Sequence, residues 1–496
     1  MKKTISLLCL LSIFFNLILV GELQAKGLYE GKPIIHSPAK VGNYTATPFL
    51  YYIPATGSLP ISKSVENLPA GLSFDPQTGI ISGTVNQAGE YKVTLQAQNK
   101  LGTTSKEFII SIGDELLLTP PMGWNSWNTF GQHLTEGLII ETAEAMIANG
   151  MRDVGYTYIN IDDFWQLAER ADDGHIQVNL EKFPNGIKYV ADYLHARGFK
   201  LGIYSDAAEW TCGGVCGSLG YEGIDALDFA SWGVDLLKYD YCHAPGEQLV
   251  AIDRYTVMGK ALRKTNRSIV YSICEWGERE PWLWAKKAGG HYWRTTWDIR
   301  DRWYAPNYSH MENGIMNIIE LSADLAQYAG PGAWNDPDML VVGISGGSKS
   351  IISSEEDKIG CTPEQYRSHM SLWAIMAAPL LAGNDVRDMD ANTLETLTNP
   401  EIIAINQDAL GKQGERKIKT NSYQIWVKEL ENGAKAVACL NTTDSVLDVA
   451  IDSENRTYLS SPNNVRDVWA KKDLGKQPKG MTVKLQPYEC KVYVIK

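Results

Sequence analysis

The chain has 496 residues and a formal net charge of −12 at pH 7. This length exceeds what a single ordinary core accommodates, so we expect two or three domains. The acidic balance argues against a nucleic-acid-binding surface. Hydrophobic residues make up 44% and charged residues 21% of the chain, which is typical of a globular protein.

The N-terminus has the pattern of an export signal. Lys2 and Lys3 precede an apolar run over residues 5–20, and the small-residue stretch LQA at 23–25 offers a cleavage site. This pattern predicts a signal peptide over residues 1–25 rather than a membrane anchor. No later segment is long and apolar enough to span a bilayer. We therefore expect an exported protein, periplasmic or secreted, with no membrane span.

Cysteine usage fits an exported protein without a metal centre. One of the eight cysteines, Cys9, lies in the predicted signal peptide, which leaves seven and therefore at least one free thiol. An oxidising compartment permits disulfides. No cysteine or histidine group has metal-ligand spacing, and no glycine loop precedes a Lys-Ser/Thr pair. We expect neither a metal nor a cofactor.

Residues 26–113 have the pattern of a small all-β module. GLSFDPQTGIISGTV predicts a hairpin, with turn residues Asp75, Pro76 and Gly79 between apolar runs. GEYKVTLQAQN alternates strictly between apolar and polar positions. Several short strands over this length favour a small β-sandwich.

Between residues 114 and 411, short apolar strands alternate with amphipathic segments. TEGLIIETAEAMIANG, for example, predicts a helix with Thr135 as its N-cap and a stop at Asn149-Gly150. Such alternation predicts a parallel sheet, and eight strands over this length predict a closed (β/α)8 TIM barrel. The predicted strands are PMGWNSW, YTYINIDDFW, FKLGIYSD, VDLLKYDYC, SIVYSICEW, HYWRTTWD, AWNDPDML and APLLAGND.

From residue 412 to 496 the pattern returns to β. SYQIWVKELENGAKAVACLN predicts a hairpin around Asn432-Gly433, a strong turn signal. These patterns together predict a multidomain fold, with a (β/α)8 barrel flanked by an N-terminal β-sandwich and a C-terminal antiparallel β domain.

Polar side chains concentrate where the predicted barrel strands end. These carboxyl-terminal strand ends form one face of a barrel, where active sites lie. Carboxylates accept hydrogen bonds from hydroxyls, Lys and Arg donate to them, and an indole covers an apolar ring face, so the set indicates a sugar site. The residues are Trp127, Asp162, Asp163, Tyr204, Asp206, Lys238, Asp240, Cys274, Trp276, Arg294, Asp298, Asp336 and Asp338.

Two of these carboxyl groups suit glycoside hydrolysis, which needs one ionised and one protonated carboxyl across the scissile bond. Lys238 lies two residues from Asp240 on the same strand face, and a cation there would keep Asp240 ionised as a nucleophile. Asp298 lies between Trp297 and Ile299. We expect this apolar setting to keep it protonated as the acid.

Several motifs in order over residues 116–496 resemble family 27 of the glycoside hydrolases, the retaining α-galactosidases. They include MGWNSWNTF, NIDDFWQ, GIYSDAAEWTCGG, LLKYDYC, YSICEWG, WRTTWDI and GPGAWNDPDMLVVG. The N-terminal stretch LPAGLSFDPQTGIISGT resembles the immunoglobulin-like modules attached to bacterial glycoside hydrolases and surface proteins.

The family resemblance implies roles for individual residues. Asp240 is expected to be the nucleophile and Asp298 the acid/base, and Cys212 is expected to form a disulfide with Cys242. Asp162 matches the position that receives the 6-hydroxyl, and the bulk of Trp276 leaves no room for an acetamide at the 2-position. The implied substrate contacts are Trp127, Asp162, Asp163, Tyr204, Lys238, Cys274, Trp276, Arg294 and Asp338.

The expected partner is an α-galactoside oligo- or polysaccharide. The alternatives within the family are a β-L-arabinopyranosidase and an α-N-acetylgalactosaminidase. Two alternatives come from other classes: a lyase that uses Lys238 as a Schiff-base nucleophile, and a glycan-binding protein without turnover.

Overall fold

The computed structural model describes residues 29–307, 309, 313–348, 358–452, 464–477 and 480–496. The predicted signal peptide at 1–25 lies outside these residues. Among the residues described, no helix is both long and apolar enough to cross a membrane.

The N-terminal module consists of two packed β-sheets and a short pair of strands. One sheet has the order β2-β9-β8-β5 and the other β3-β7-β6, and β1 pairs with β4. Val93, Leu95 and Ala97 alternate inward from β8 against Phe108 and Ile110 of β9, which confirms the predicted period-2 pattern. The strands are β1 (Ile34–Ile35), β2 (Lys40–Tyr44), β3 (Pro48–Tyr52), β4 (Ala55–Thr56), β5 (Ser62–Glu66), β6 (Leu72–Asp75), β7 (Ile80–Thr84), β8 (Gly89–Asn99) and β9 (Gly102–Gly113).

All eight predicted barrel strands are present and parallel. They form one sheet in the order β16-β15-β14-β13-β12-β11-β10-β17. Leu340 closes the ring, because its N–H bonds Leu381 O at 2.8 Å and its carbonyl accepts from Gly383 N at 2.9 Å. The strands are β10 (Met122–Asn125), β11 (Tyr158–Asn160), β12 (Lys200–Asp206), β13 (Leu236–Asp240), β14 (Val270–Ile273), β15 (Tyr292–Arg294), β16 (Trp334–Asp336) and β17 (Leu380–Ala382).

Helices cover the outside of the barrel, as the alternating pattern predicts. The helix predicted after Thr135 is confirmed: the Thr135 hydroxyl accepts from Leu138 N at 3.2 Å. The α-helices among the residues described are Trp127–Phe130, Glu136–Ala148, Gly186–His195, Glu222–Trp232, Gln248–Arg263, Ile315–Ser322, Pro363–Ile375, Ala391–Thr398 and Pro400–Asn406.

The C-terminal domain is antiparallel, as predicted. Its larger sheet has the order β18-β19-β20-β25-β22-β23, and β21 pairs with β24. The predicted hairpin around Asn432-Gly433 joins β19 to β20. The strands are β18 (Glu415–Lys419), β19 (Tyr423–Glu429), β20 (Lys435–Asn441), β21 (Leu447–Ile451), β22 (Asn464–Asp467), β23 (Lys472–Lys476), β24 (Met481–Leu485) and β25 (Cys490–Ile495).

The N-terminal module closes the barrel at the end opposite to the strand termini that carry the polar residues. The first residues of five barrel strands form a buried cluster with Leu116, and Tyr44 of the module packs against it. The Tyr44 hydroxyl lies 3.0 Å from His291 Nε2, and the Arg263 guanidinium lies 3.7 Å from the centre of the Tyr44 ring. We call this cluster the barrel floor; its strand residues are Tyr158, Leu236, Val270, Tyr292 and Trp334.

We predict that Tyr44→Ala lowers the free energy of unfolding by about 2–3 kcal/mol, because the floor loses an aromatic ring and its hydrogen bond. Tyr44→Phe keeps the ring and is expected to cost about 1 kcal/mol. Calorimetry would compare the two melting temperatures. An unchanged barrel transition in Tyr44→Ala would show that the floor is stable without the module's tyrosine.

Candidate active site

The register of the barrel sheet brings the predicted polar residues together. Tyr204 on β12 lies beside Lys238 on β13, and Asp206 lies beside Asp240. These residues are therefore direct neighbours at the ends of two adjacent parallel strands. The carboxyl end of the barrel therefore carries a dense group of buried charges.

Asp240 is buried and held by donors on both carboxylate oxygens. The Tyr204 hydroxyl donates to Oδ2 at 2.9 Å, and the Tyr241 backbone N–H donates to Oδ1 at 3.0 Å. Burial raises the pKa of Asp240 to about 6, while the Lys238 charge and the Tyr204 hydroxyl lower it. The Lys238 charge and these two donors therefore favour the ionised form of Asp240 and fix its orientation.

Lys238 forms its direct ion pair with Asp162 rather than with Asp240. Its Nζ lies 2.8 Å from Asp162 Oδ2, which also accepts from Asn125 Nδ2 at 2.8 Å. The cation therefore acts on Asp240 through space, whereas Asp162 receives the hydrogen bond. Burial alone would lower the pKa of Lys238, but Asp162 and the neighbouring acidic groups raise it, so the amine stays charged. A charged amine is a poor Schiff-base nucleophile.

A disulfide fastens the loop after β12 to the loop after β13. Cys212 and Cys242 are bonded, with their Cα atoms 5.1 Å apart, which confirms the predicted pair. The Cys212 sulfur lies 3.4 Å from Asp240 Oδ2. Asp206 connects the same two loops, because it accepts hydrogen bonds from the backbone N–H groups of Ala208 and Cys242, each at 2.9 Å.

Asp163 connects the loop after β11 to this disulfide loop. Its Oδ2 accepts from Gly213 N at 2.8 Å and its Oδ1 from Phe164 N at 2.8 Å. Burial raises the pKa of Asp163 to about 6, against the effect of these backbone donors. Asp163 therefore shapes the site by fixing two loops.

Arg294 lies between two carboxylates on the other side of the site. Its Nη2 lies 3.0 Å from Asp298 Oδ1 and 2.9 Å from Asp338 Oδ2. Asp338 also accepts from the Ile299 N–H at 2.8 Å, so it holds the segment that carries Asp298. Cys274 lies against the same guanidinium, with 3.7 Å between its sulfur and Arg294 Nη1.

The prediction that Asp298 lies in an apolar setting is wrong. The Asp298 side chain is 32% exposed and paired with Arg294 rather than enclosed by Trp297 and Ile299. Burial acts to raise its pKa, but the charges of Arg294 and Lys238 outweigh burial and lower it. The expectation considered only the two residues that flank Asp298, whereas the charge comes from Arg294, which ends β15 four positions earlier.

Aromatic side chains line the rim of this group. Trp127 stacks on Phe164, with ring centres 6.3 Å apart and planes at 8°. Trp276 stacks on Trp297 at 4.9 Å and 11°. Each predicted indole is thus fixed by a second ring.

Three non-glycine residues of the site have left-handed backbone conformations. The φ angles are +75° at Phe164, +60° at Trp276 and +82° at Asp338. Such conformations cost about 1–3 kcal/mol each and persist where the surroundings enforce them, which is common in functional sites.

The structure brings every residue of the predicted set to this end of the barrel, and it adds Asn125. Asn125 Nδ2 donates to Asp162, and Asn125 Oδ1 accepts from the Trp127 backbone N–H at 2.8 Å. The sequence feature that could have identified Asn125 is a polar side chain at the last position of an apolar strand. Asp336 is buried, and its Oδ1 accepts from Asp338 N at 2.9 Å, which fits a supporting position.

Among the residues that the structure describes, one group of side chains is close enough together to hold a metal ion. Single donor atoms of Asp206, Cys212, Asp240 and Cys242 lie within 4.8 Å of one another. The two sulfurs are joined as a disulfide and so are not thiolate ligands. The remaining pair of carboxylates is too small a ligand set for a structural cation site.

Comparisons with known proteins agree with this geometry. The family described as Alpha galactosidase A matches residues 119–408, more than half of the chain. The chain belongs to this family of glycoside hydrolases. The α-galactosidase family's C-terminal β-sandwich domain matches residues 420–495, and an Ig domain family matches residues 32–113.

Individual relatives of this α-galactosidase family cover most of the chain. The α-galactosidase of Cyamopsis tetragonoloba is 43% identical over 379 residues, which are 76% of this chain and 86% of that protein. α-Galactosidase A of Cellvibrio japonicus is 46% identical over 341 residues, 68% of this chain and 80% of that one. The crystal structure of a related protein from Bacteroides fragilis has 60% identity and a TM-score of 0.90, covering 95% of this chain and 98% of that chain.

We predict that Tyr204→Phe raises the pKa of Asp240 above about 6, because the carboxylate loses a hydrogen bond that stabilises its charged form. Infrared difference titration would measure the shift, with the Asp240 band assigned by its absence in Asp240→Asn. Tyr239→Phe, on the same strand pair but outside this hydrogen bond, is the control. A pKa that stays the same or falls would contradict the contact.

Proposed function

We propose that the protein is a retaining α-galactosidase that removes terminal α-D-galactosyl residues from oligo- or polysaccharides, with Asp240 as nucleophile and Asp298 as acid/base. The proposal rests on one observation. A chain that is 43–46% identical to α-galactosidases over 341–379 residues carries both carboxylates at the active face of its barrel, where Lys238 and Arg294 balance the negative charge.

In the proposed first step, Asp240 attacks the anomeric carbon while Asp298 gives a proton to the leaving oxygen. The C–O bond to the leaving group breaks as the bond to Asp240 forms. In the second step, Asp298 takes a proton from water, which displaces the carboxylate of Asp240 and releases galactose with its original configuration. Donors from Tyr204 and Tyr241 orient Asp240 for both steps.

In this proposal, Arg294 controls the pKa of Asp298 and therefore its protonation. The guanidinium lowers the pKa of Asp298 while it contacts that carboxylate. A sugar hydroxyl that binds Arg294 would compete for the same N–H groups and weaken this contact. The pKa of Asp298 would then rise, which supplies the acid only when substrate is present.

Asp162 and Trp276 decide which sugar fits. Asp162 is buried, and the remaining lone pairs of its carboxylate can accept from a 6-hydroxyl; Lys238 and Asn125 hold it in place. Trp276 cannot move aside easily because it stacks on Trp297. These features favour galactose over a pentose without the 6-hydroxyl and over a 2-acetamido sugar.

We place the mature protein outside the cytoplasm, in the periplasm or secreted. The support is the signal-peptide pattern at residues 1–25 together with the Cys212–Cys242 disulfide, since disulfides persist in oxidising compartments. Loss of the leader on export would be seen in the N-terminal sequence of the secreted chain.

We predict that Asp240→Gly lowers kcat on the order of 10³-fold or more, because no nucleophile remains. Azide should restore part of the activity with an activated aryl galactoside. Asp298→Ala should lose about 10²-fold or more on substrates with poor leaving groups and much less on good ones, which need no proton. The reverse behaviour would exchange the two roles.

Stereochemistry provides the control for this mechanism. Proton NMR of the first sugar released should show α-galactose, since two displacements retain configuration. β-Galactose appearing first would contradict the covalent intermediate. Sugar binding without turnover of any α-galactoside would favour the glycan-binding alternative.

We predict that kcat/KM for an aryl α-galactoside exceeds that for the β-L-arabinopyranoside by about ten- to a hundredfold, because the buried Asp162 would lose a partner. The α-N-acetylgalactosaminide should not be hydrolysed at a useful rate. Trp276→Ala should raise kcat/KM for this substrate relative to kcat/KM for the galactoside. Kinetics with the three glycosides test this. Equal or better activity on a competing sugar would overturn the assignment of galactose.

A further inference from the structure

One lysine outside the group of buried charges joins two segments that carry the aromatic rim. Lys182 Nζ donates to the Gln132 carbonyl at 2.6 Å and to the Phe164 carbonyl at 3.1 Å. Phe164 belongs to the loop after β11, whereas Gln132 lies just beyond the short helix Trp127–Phe130 that follows β10. A single ammonium group therefore connects the segments that follow two neighbouring barrel strands.

Phe164 depends on its surroundings for its conformation. Its φ of +75° lies in the left-handed region, which a residue with a bulky side chain adopts only where its neighbours enforce it. Asp163 accepts from the Phe164 N–H at 2.8 Å, and Lys182 binds the Phe164 carbonyl. The Lys182 ammonium also lies 5.3 Å from the centre of the Phe164 ring, within the range of a cation–π contact. Lys182 thus holds both the backbone and the ring of Phe164.

The Phe164 ring contacts two elements of the site. It stacks on Trp127, with the planes of the two rings at 8°. It also lies against the disulfide loop at Gly213, where a Cβ atom would be only 2.4 Å from Phe164 Cζ. A displacement of Phe164 would therefore remove support from the Trp127 indole, which is one of the expected sugar contacts.

Lys182 is itself fixed by the backbone around it. Its carbonyl accepts from the Glu136 N–H at 2.8 Å, and its N–H donates to the Asn179 carbonyl at 3.1 Å. Its side chain is half-buried. A side chain with a fixed backbone and restricted space loses little conformational entropy when it makes further contacts, so it can hold its partners firmly.

The two proposed catalytic carboxylates are held by other groups. Tyr204 and the Tyr241 N–H orient Asp240, and Arg294 pairs with Asp298. Loss of the lysine would leave these contacts in place. Its effect is therefore expected on sugar binding rather than on the chemical step.

We propose that Lys182 is a positioning residue for sugar binding, which holds Phe164 in place so that Phe164 supports Trp127. This inference rests on the proposed α-galactosidase function. Lys182 acts through Phe164 and has no direct part in the reaction.

The first test is the kinetics of Lys182→Met in the full-length enzyme. KM for an aryl α-galactoside should rise about three- to tenfold, because two hydrogen bonds that support the sugar-binding wall are lost. The value of kcat should stay within about twofold. Lys182→Arg keeps a cation that can donate to both carbonyls and should recover most of the lost binding. A fall in kcat with unchanged KM would contradict the proposal.

Lys188→Met is the matched control. It removes the same charge by the same substitution, but Lys188 is exposed and pairs with Asp192 on the outer helix Gly186–His195. Its KM and kcat should equal those of the unmodified enzyme. An equal rise of KM in Lys188→Met and Lys182→Met would show a general effect of charge, and the positioning role would be excluded.

A double-mutant cycle tests whether Lys182 acts through Phe164. Phe164→Leu removes the aromatic ring, so adding Lys182→Met to it should raise KM by less than about twofold further. If the two substitutions multiply their separate effects on KM, Lys182 acts by another route and the proposal is wrong. If Lys182→Met does not fold, Lys182→Gln, which keeps one donor group, takes its place in both comparisons.

A spectroscopic measurement separates this inference from the proposed function. In protein labelled with 5-fluorotryptophan, the fluorine resonance of Trp127 is assigned by its absence in Trp127→Phe. That resonance should shift or broaden in Lys182→Met and stay unchanged in Lys188→Met. The measurement needs no turnover, so an enzyme inactive on every α-galactoside would refute the function alone, whereas an unchanged Trp127 resonance in Lys182→Met would refute the positioning role.

Discussion

The active face of this protein depends on one constraint, which is that buried carboxylates need cations or hydrogen-bond donors. Asp162, Asp163, Asp206, Asp240, Asp336 and Asp338 are each at most 5% exposed. Lys238 and Arg294 supply the cations, and backbone N–H groups supply most of the donors. Because these backbone donors belong to loops, satisfying the charges also fixes the loops. The cost of burying charge thus organises the site.

The sequence was sufficient to predict the fold and most of the side chains at the carboxyl end of the barrel. Period-2 and strand-helix patterns are local, so all eight barrel strands and the helix after Thr135 could be predicted correctly. The carboxyl ends of barrel strands must meet at one face, which placed Asp162, Lys238, Asp240 and Arg294 together without knowledge of any distance.

What the sequence could not predict were the pairings across strands. Lys238 pairs with Asp162 in the loop after β11 rather than with Asp240 on its own strand, and Arg294 reaches Asp338 after β16. Side-chain reach and rotamer decide such partners, and neither is visible in a sequence. Asn125 was not predicted because a single amide at the end of a strand does not by itself indicate a functional site.

The packing of Tyr44 against the barrel floor has a consequence for modular construction. The floor is built from the first residues of the barrel strands, whereas the site is built from their last residues, so the length of the barrel separates module from substrate. A domain docked there can change through evolution, or be exchanged by design, without altering the side chains that recognise sugar. Fusion at the N-terminus therefore offers a route to tether or immobilise the enzyme with its opening directed away from the attachment point.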